Sequence, residues 1–412
     1  MKMNTTTFNS SIKEIQGGNI LSAKGYKTGG YHMGLRNNKK DLGIIVSDNL
    51  ANAAAVFTKS ITQAAPIKVT KETMAQGAKI QAVIVNSGNA NAATGEQGML
   101  DAYEMRNLAA KKLGIENTQV AVASTGVIGQ LLDMDKVKSG IEQIEFQNLA
   151  ECAADFETAI LTTDTFQKHC AFQAEINGVT VTVGGAAKGS GMIHPNMGTM
   201  LGFLTSDANV SSENLQLALS QCIDSTFNQI TVDGDTSTND MVILLANGQS
   251  NCAELTPSQE GWATFVELVA LACKDLSKKI ARDGEGATKL IEVNVEGAQS
   301  VSDARALAKT VVGSSLVKTA IFGTDANWGR VIAAMGRAGV PFNPEDVTIY
   351  FGDIVVLQNS TPVNFSEEDA KAYLEQEVVV IKAVLNEGEA KGTAWGCDLT
   401  YDYVKINGSY RS

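Results

Sequence analysis

The sequence predicts an α/β fold built on a mixed sheet, and three observations carry that expectation. Apolar, β-branched runs recur along the chain, longer segments of helical spacing lie between them, and an Asn-Gly pair separates two further strand-like runs. Residues Gly43 to Ser47, Ile80 to Asn86 and Gln119 to Ser124 read as buried strands. The runs Cys170 to Glu175 and Val179 to Gly184 flank Asn177-Gly178, the residue pair favoured in two-residue hairpin turns, so the sheet gains antiparallel members. Further along, Leu215, Leu219, Cys222 and Ile223 share one helical face, as do Phe265, Val269, Ala272, Leu276 and Ile280, and both helices are expected to pack on a sheet. The second should stop at Asp283-Gly284, with the glycine as its left-handed C′ residue, leaving Glu285 on the loop beyond. Ser366 with Asp369 opens another helix as a capping box.

A length of 412 residues fits two or three domains, and 44% hydrophobic content is enough for sizeable cores. Neither low-complexity tract, internal repeat nor proline-rich linker breaks the chain, so its domains should join without a flexible hinge. A formal charge of −12 argues against general nucleic-acid or anionic-membrane binding, which needs clustered Lys and Arg, and favours small-molecule partners. The amino terminus lacks an apolar signal core and no later apolar run is long enough to span a bilayer, which makes a cytoplasmic location the expectation. The six cysteines contain no C-x-x-C pair and read mostly as buried thiols, and the three histidines show no i, i+4 spacing, so no metal site is expected.

The stretch Lys188 to Thr205, K-G-S-G-M-I-H-P-N-M-G-T-M-L-G-F-L-T, carries the chemistry. A threonine before M-L-G-F-L is far more often a strand residue than a nucleophile, but Gly189, Gly191 and Gly198 allow the unusual backbone geometry that attack on a preceding peptide bond requires. Cleavage between Gly198 and Thr199 would give Thr199 a free α-amino group. Its ordinary pKa of about 7.7 to 8.0 suits a general base, so one residue would then hold both nucleophile and base. The cut would leave pieces of 198 and 214 residues (412 − 198), and it falls in an apolar, strand-like run, so both should stay in one fold. In A-S-T-G-V-I-G, Thr125 and Gly126 offer a hydroxyl and an unhindered N–H to a developing oxyanion. Lys188, between two glycine pairs, is a candidate partner for a substrate carboxylate, and a cation there would lower the pKa of a nearby α-amino group. His194 reads first as a hydrogen-bonded turn histidine before Pro195, and its position makes it a candidate support for the cleavage geometry.

Other motifs fail their tests. The run T-V-D-G-D-T-S-T-N-D, Thr231 to Asp240, has Thr238 where a calcium loop needs glycine and Leu244 at its twelfth position, so turns that bond their own backbone explain it. The segments G-G-A-A-K-G and G-E-G-A-T-K complete no phosphate-loop pattern.

Taken together, K-G-S-G-M-I-H-P-N-M-G-T-M-L, T-V-D-G-D-T-S-T-N-D, R-D-G-E-G-A-T-K, D-A-N-W-G-R and the terminal N-G-S-Y-R-S resemble the ornithine acetyltransferase (glutamate N-acetyltransferase) family of arginine biosynthesis, over essentially the whole chain. The resemblance implies a mixed-sheet αββα layered sandwich of the N-terminal-nucleophile kind. It also implies self-cleavage into an α chain, residues 1–198 with the oxyanion loop, and a β chain, residues 199–412, assembled as a heterotetramer of two of each. Thr199 would be the nucleophile, Thr125 and Gly126 the oxyanion hole, and Thr162, Lys188, Thr199, Glu285, Asn407 and Ser412 the substrate contacts. The implied reaction moves an acetyl group from N2-acetyl-L-ornithine to L-glutamate through acetyl-Thr199, with no bound cofactor; some members also take acetyl-CoA as a co-substrate. Gly198 departs from the alanine usual in the family before the nucleophile, which bears on the rate of cutting. The alternative is a self-processing aminopeptidase or amidohydrolase of related architecture, in which water takes the acyl group.

Overall fold

The apolar runs become the strands of two mixed sheets in the computed structural model, which describes residues 12–194 and 200–409. In chain order the strands are β1 (Lys13–Glu14), β2 (Tyr26–Tyr31), β3 (Leu42–Phe57), β4 (Lys79–Asn86), β5 (Val120–Ser124), β6 (Lys168–Ile176), β7 (Val179–Lys188) and β8 (Leu201–Ser206). They continue as β9 (Ile230–Thr231), β10 (Met241–Ala246), β11 (Leu290–Ala298), β12 (Val347–Phe351), β13 (Ile354–Gln358), β14 (Thr361–Pro362), β15 (Val378–Leu385) and β16 (Ala390–Cys397). The first sheet runs β1-β6-β7-β8-β10-β3-β4-β5, with β2 also paired to β3, and the second runs β14-β13-β12-β15-β11-β16-β9. Gln119 belongs to a short 3-10 turn, so β5 begins one residue later than its apolar run suggested.

Helices α1 (Ala65–Ala75), α2 (Gly95–Leu113), α3 (Met134–Gln143), α4 (Ala150–Ile160), α5 (Ser212–Ile223) and α6 (Trp262–Arg282) accompany the first sheet. The second carries α7 (Val301–Val312), α8 (Ser315–Phe322), α9 (Trp328–Met335) and α10 (Glu367–Leu374), and α11 (Tyr401–Gly408) ends the described chain. Successive strand residues point to opposite faces. On β8, Phe203 therefore packs with Phe156 and Ile160 of α4, whereas Leu204 joins Phe265 and Leu276 of α6 in a different core. Helix α5 lies on β3, and α6 lies on β6 and β7 while also reaching β16 and β11 of the second sheet. Among the described residues no helix is long and apolar enough to cross a membrane.

Local signals in the sequence have local consequences. Asn177 and Gly178 take φ of +52° and +78°, the paired left-handed geometry that joins β6 to β7 as a hairpin. The Ser366 hydroxyl accepts from the Asp369 N–H at 3.1 Å and caps α10. Helix α6 does stop at Asp283, but the role expected of Gly284 is corrected. Its φ is not left-handed, and a Cβ there would stand 2.4 Å from Cys397 Sγ, so close packing against β16 is what demands glycine. Five of the six cysteines are buried thiols and Cys152 is half-buried.

Strands β7 and β8 position the site. They pair antiparallel with Lys188 opposite Leu201, so the segment carrying the proposed cut connects two strands that lie side by side. Gly198 and Thr199 themselves, like Ser412, lie outside the described residues.

Candidate active site

The loop after β5 is shaped by what its backbone cannot spare. The Thr125 N–H donates to Asn86 O at 2.9 Å, and the Ser124 hydroxyl donates to Asn86 Oδ1 at 2.5 Å, fixing the turn to the end of β4. Gly126 has φ +134°, and a Cβ on it would come within 2.3 Å of the Gly88 carbonyl carbon, so no side chain fits. The Lys188 ammonium donates to Thr125 Oγ1 at 3.3 Å. An ammonium has no lone pair to give, so the Thr125 hydroxyl must be the acceptor, and its own proton is left for another partner. This arrangement suits an oxyanion donor.

Thr125 and Gly126 line a cavity of about 260 Å³, together with Thr162, Lys188, Met200, Leu201, Glu285 and Asn407. All six of the described residues expected at the site therefore meet on one cavity, and Met200 and Leu201 bring the start of β8 to its wall. Glu285 is buried, and its Oε2 accepts from Asn407 Nδ2 at 2.7 Å, which ties α11 to the loop after α6. Gly191 packs so closely on Glu285 that a Cβ would stand 2.3 Å from the carboxyl carbon. Lys188 is buried as well, which lowers its pKa, while the Asp164, Asp240 and Glu285 carboxylates act in the opposite direction. A cation at one wall and a carboxylate at another match a ligand that carries both charges. Thr162 donates its N–H to Asp164 Oδ2 at 2.9 Å, and Arg36 donates to the Leu161 and Thr162 carbonyls at 2.6 and 2.9 Å, so this loop is held from both sides.

The approach to the segment of the expected cut is held by Asp233. Its two carboxylate oxygens accept the N–H groups of Met192 and Ile193 at 2.6 and 2.9 Å, and a bond of 3.2 Å from the Asp235 N–H completes an Asx turn. Of the glycines expected to carry the unusual backbone here, Gly189 takes φ +159°, Gly191 has no positive φ and Gly198 lies outside the described residues, while Met192 adds φ +55°, a conformation unfavourable for a side chain of its size. His194 faces Thr231 Oγ1 at 3.0 Å, and its carbonyl accepts from Thr236 Oγ1 at 2.9 Å. It is a hydrogen-bonded turn histidine. Asn239 donates to Ala90 O and Ser124 O at 2.5 and 2.9 Å, so the Asp- and Asn-rich run braces both the approach segment and the loop after β5. Among the described residues no cluster of His, Cys, Asp or Glu has the arrangement to hold a metal ion.

Among the residues that shape the site, Asp164 and Lys168 drew no attention in the sequence and Asp283 was read only as a helix stop. Asp164, Lys168 and Asp283 form a buried charged group behind Lys188, and the Ser190 hydroxyl donates to Asp283 O at 2.7 Å. Asp164 and Lys168 show an i, i+4 opposite-charge spacing, but the intervening T-F-Q has no helical context to single it out, and Asp283 is more than a hundred positions away.

The sequence matches the ArgJ family over residues 27–412. The arginine biosynthesis bifunctional protein ArgJ of Geobacillus kaustophilus is 56% identical over 410 residues, covering 100% of both chains. That of Bacillus subtilis is 54% identical over 398 residues, covering 96% of this chain and 97% of the other. A crystallised chain of the Bacillus halodurans protein of that name is 56% identical with a TM-score of 0.51, and it covers 52% of this chain and 100% of its own length. With the match running through the loop after β5, the approach segment and the Glu285 loop alike, the chain belongs to the ArgJ family.

Proposed function

We propose that this chain is a glutamate N-acetyltransferase of arginine biosynthesis, moving an acetyl group from N2-acetyl-L-ornithine to L-glutamate through an acetyl-Thr199 intermediate. The observation that carries this reading is the convergence of Thr125, Gly126, Thr162, Lys188, Glu285 and Asn407 on one cavity beside the start of β8. Full-length identity to proteins named for arginine biosynthesis supports it. Self-cleavage before Thr199 has separate support: curated relatives span the whole chain, yet the crystallised B. halodurans chain, covered in full, spans about half of it.

The steps follow from the groups present. The Thr199 α-amino group takes the proton of its own hydroxyl as Oγ attacks the acetyl carbonyl. The Thr125 hydroxyl and Gly126 N–H receive the oxyanion. The C–N bond breaks, the proton passes to the departing amine, and ornithine leaves. The amine of glutamate then attacks the acetyl ester by the same route in reverse, restoring Thr199. Lys188 pairs with the α-carboxylate common to both amino acids, Glu285 with the ornithine side-chain ammonium, and Thr162, Asn407 and Ser412 complete the substrate contacts. The buried Lys188 charge also disfavours protonation of the α-amino base. The word bifunctional in the relatives' names supports acetyl-CoA as a second acetyl donor. The α chain, 1–198, and β chain, 199–412, assemble as a cytoplasmic heterotetramer in this reading.

Mass spectrometry of the purified protein should find two fragments divided before Thr199, and Thr199→Ala should abolish both cutting and transfer. Incubation with N-acetylornithine should release ornithine and, only when glutamate is present, N-acetylglutamate. Acetate release independent of glutamate would point to a hydrolase instead. N-acetylglutamate formed from acetyl-CoA and glutamate alone tests the second donor.

A further inference from the structure

We propose that Asp164, Lys168 and Asp283 form a buried positioning clamp that sets Lys188, the Thr162 loop and Glu285 in register across the Gly198-Thr199 cut. The assignment of those three groups to the acetyl-transfer site rests on the function proposed above; the clamp itself rests on geometry.

Lys168 is fully buried, and its ammonium lies 2.7 Å from Asp164 Oδ1, 2.5 Å from Asp283 Oδ2 and 3.4 Å from Phe166 O. Its three protons thus have three acceptors. Each carboxylate then holds backbone from the site. Asp164 accepts the Thr162 N–H at 2.9 Å and the Gly189 N–H at 2.7 Å, so it grips the residues on which Thr162 and Lys188 are mounted. Asp283 accepts the Thr165 N–H at 3.0 Å and the Thr165 hydroxyl. Its carbonyl accepts from Ser190 Oγ, while Ser190 O accepts the Glu285 N–H at 3.0 Å, so the same residue sets the height of the Glu285 loop. Asp164 and Lys168 precede the proposed cut and Asp283 follows it. After cleavage the Lys168–Asp283 bond joins two separate polypeptides.

Stability alone is a poor reason for such a group, because desolvating the charges offsets most of their attraction, and an apolar cluster of similar volume would hold the fold as well. Nor are the pieces held together by it, since β8 and β10 are paired on both sides by strands from before the cut. Geometry and charge at the cavity are what the clamp controls. Two carboxylates and two ammoniums alternate in the order Asp283, Lys168, Asp164, Lys188. Burial alone would raise the Asp164 carboxyl, but the Lys168 and Lys188 ammoniums outweigh it and hold it well below the usual carboxylate range. In return, Asp164 opposes the fall in the Lys188 pKa that burial causes and that Lys168 reinforces; Asp240 and Glu285 act with Asp164.

Two variants test the clamp. Lys168→Met keeps the volume and removes the bridge. It strands two buried carboxylates, so the melting temperature should fall; the chain should still be cut and keep both fragments together, and assayed well below that melting temperature it should lose about 100-fold in kcat/KM through misplaced groups. Asp164→Asn keeps the shape and removes one charge, so the Lys188 pKa should fall further and the alkaline limb of kcat/KM should move to lower pH. Lysine 13Cε NMR, with the Lys188 signal assigned by Lys188→Arg, reads that fall without any turnover. Wild-type protein that transfers no acetyl group would sink the functional reading but leave the NMR shift as the clamp's own test. Wild-type-like kcat/KM in Lys168→Met, or an unmoved Lys188 titration in Asp164→Asn, overturns the clamp. So does a loss of turnover in Lys168→Met that disappears once the assay is run well below the variant's melting temperature.

Discussion

At the scale of single residues, His194 shows how a side chain beside the proposed cleavage segment is kept neutral. Burial pushes its pKa down from the ordinary 6.5 to about 4, with the Lys309 ammonium adding to the shift and Asp233 opposing it. The unfolded chain takes up a proton near pH 6.5 while the folded one does not until about pH 4. His194 therefore contributes stability above about pH 6.5 that is lost as the pH falls towards 4. Urea midpoints measured at pH 4.5 and 7 should differ less for His194→Asn than for the parent protein; an unchanged difference would contradict the shift. The sequence marked this histidine, as it marked Thr125, Gly126, Thr162, Lys188, Glu285 and Asn407, because each sits in a motif whose neighbours are distinctive in order. It did not mark Lys168 or Asp283. Their meaning arises only when β6 and the end of α6 meet: Lys168 has no distinctive neighbour in sequence, and Asp283, though inside R-D-G-E-G-A-T-K, reads there only as a helix stop.

At the scale of elements, signals confined to a few consecutive residues were legible and those made by contact were not. Asn177-Gly178 specifies its hairpin alone, and the apolar face from Phe265 to Ile280 specifies α6 and its buried side. The glycine after α6 was legible as a stop but not in its cause, since nothing near Gly284 in sequence announces Cys397. Likewise the left-handed backbone at Met192 was not legible, because Asp233 grips the chain there from 41 positions away. Gly284→Ala should force Cys397 or the Glu285 loop to move, at a cost of about 1–3 kcal/mol in unfolding free energy as for other overpacked sites. Adding Cys397→Ala removes the sulfur that the new methyl would strike, and should recover part of that loss. A double-mutant cycle in denaturant reads the coupling directly, and strictly additive effects would show that the Sγ contact is not what excludes a side chain at 284.

At the scale of the whole molecule, the proposed cut before Thr199 would leave one molecule because strands from before and after it interleave in one sheet. In the first sheet the strands from before residue 199 are β1 to β7, and those from after it are β8 and β10. The later pair is inserted between β7 and β3, with six paired positions along each ladder. Separating the pieces would break both ladders and expose cores that mix residues from the two sides, Val183 and Cys170 with Leu204, Leu244 and Leu276 among them. Charge cannot substitute for that burial, and high salt should not release the fragments, since screening acts weakly on buried contacts. The cut protein should therefore elute as one species in native size-exclusion chromatography at low and high salt. In urea it should unfold in a single transition by which the fragments separate. Residues 1–198 and 199–412 produced in separate cells should each aggregate, because the first exposes the open edges of β7 and β3 and the second exposes both edges of the β8–β10 pair. A fragment that stays soluble and monomeric alone, or two fragments that part below the unfolding transition, would mean that the sheet is not what holds the molecule together.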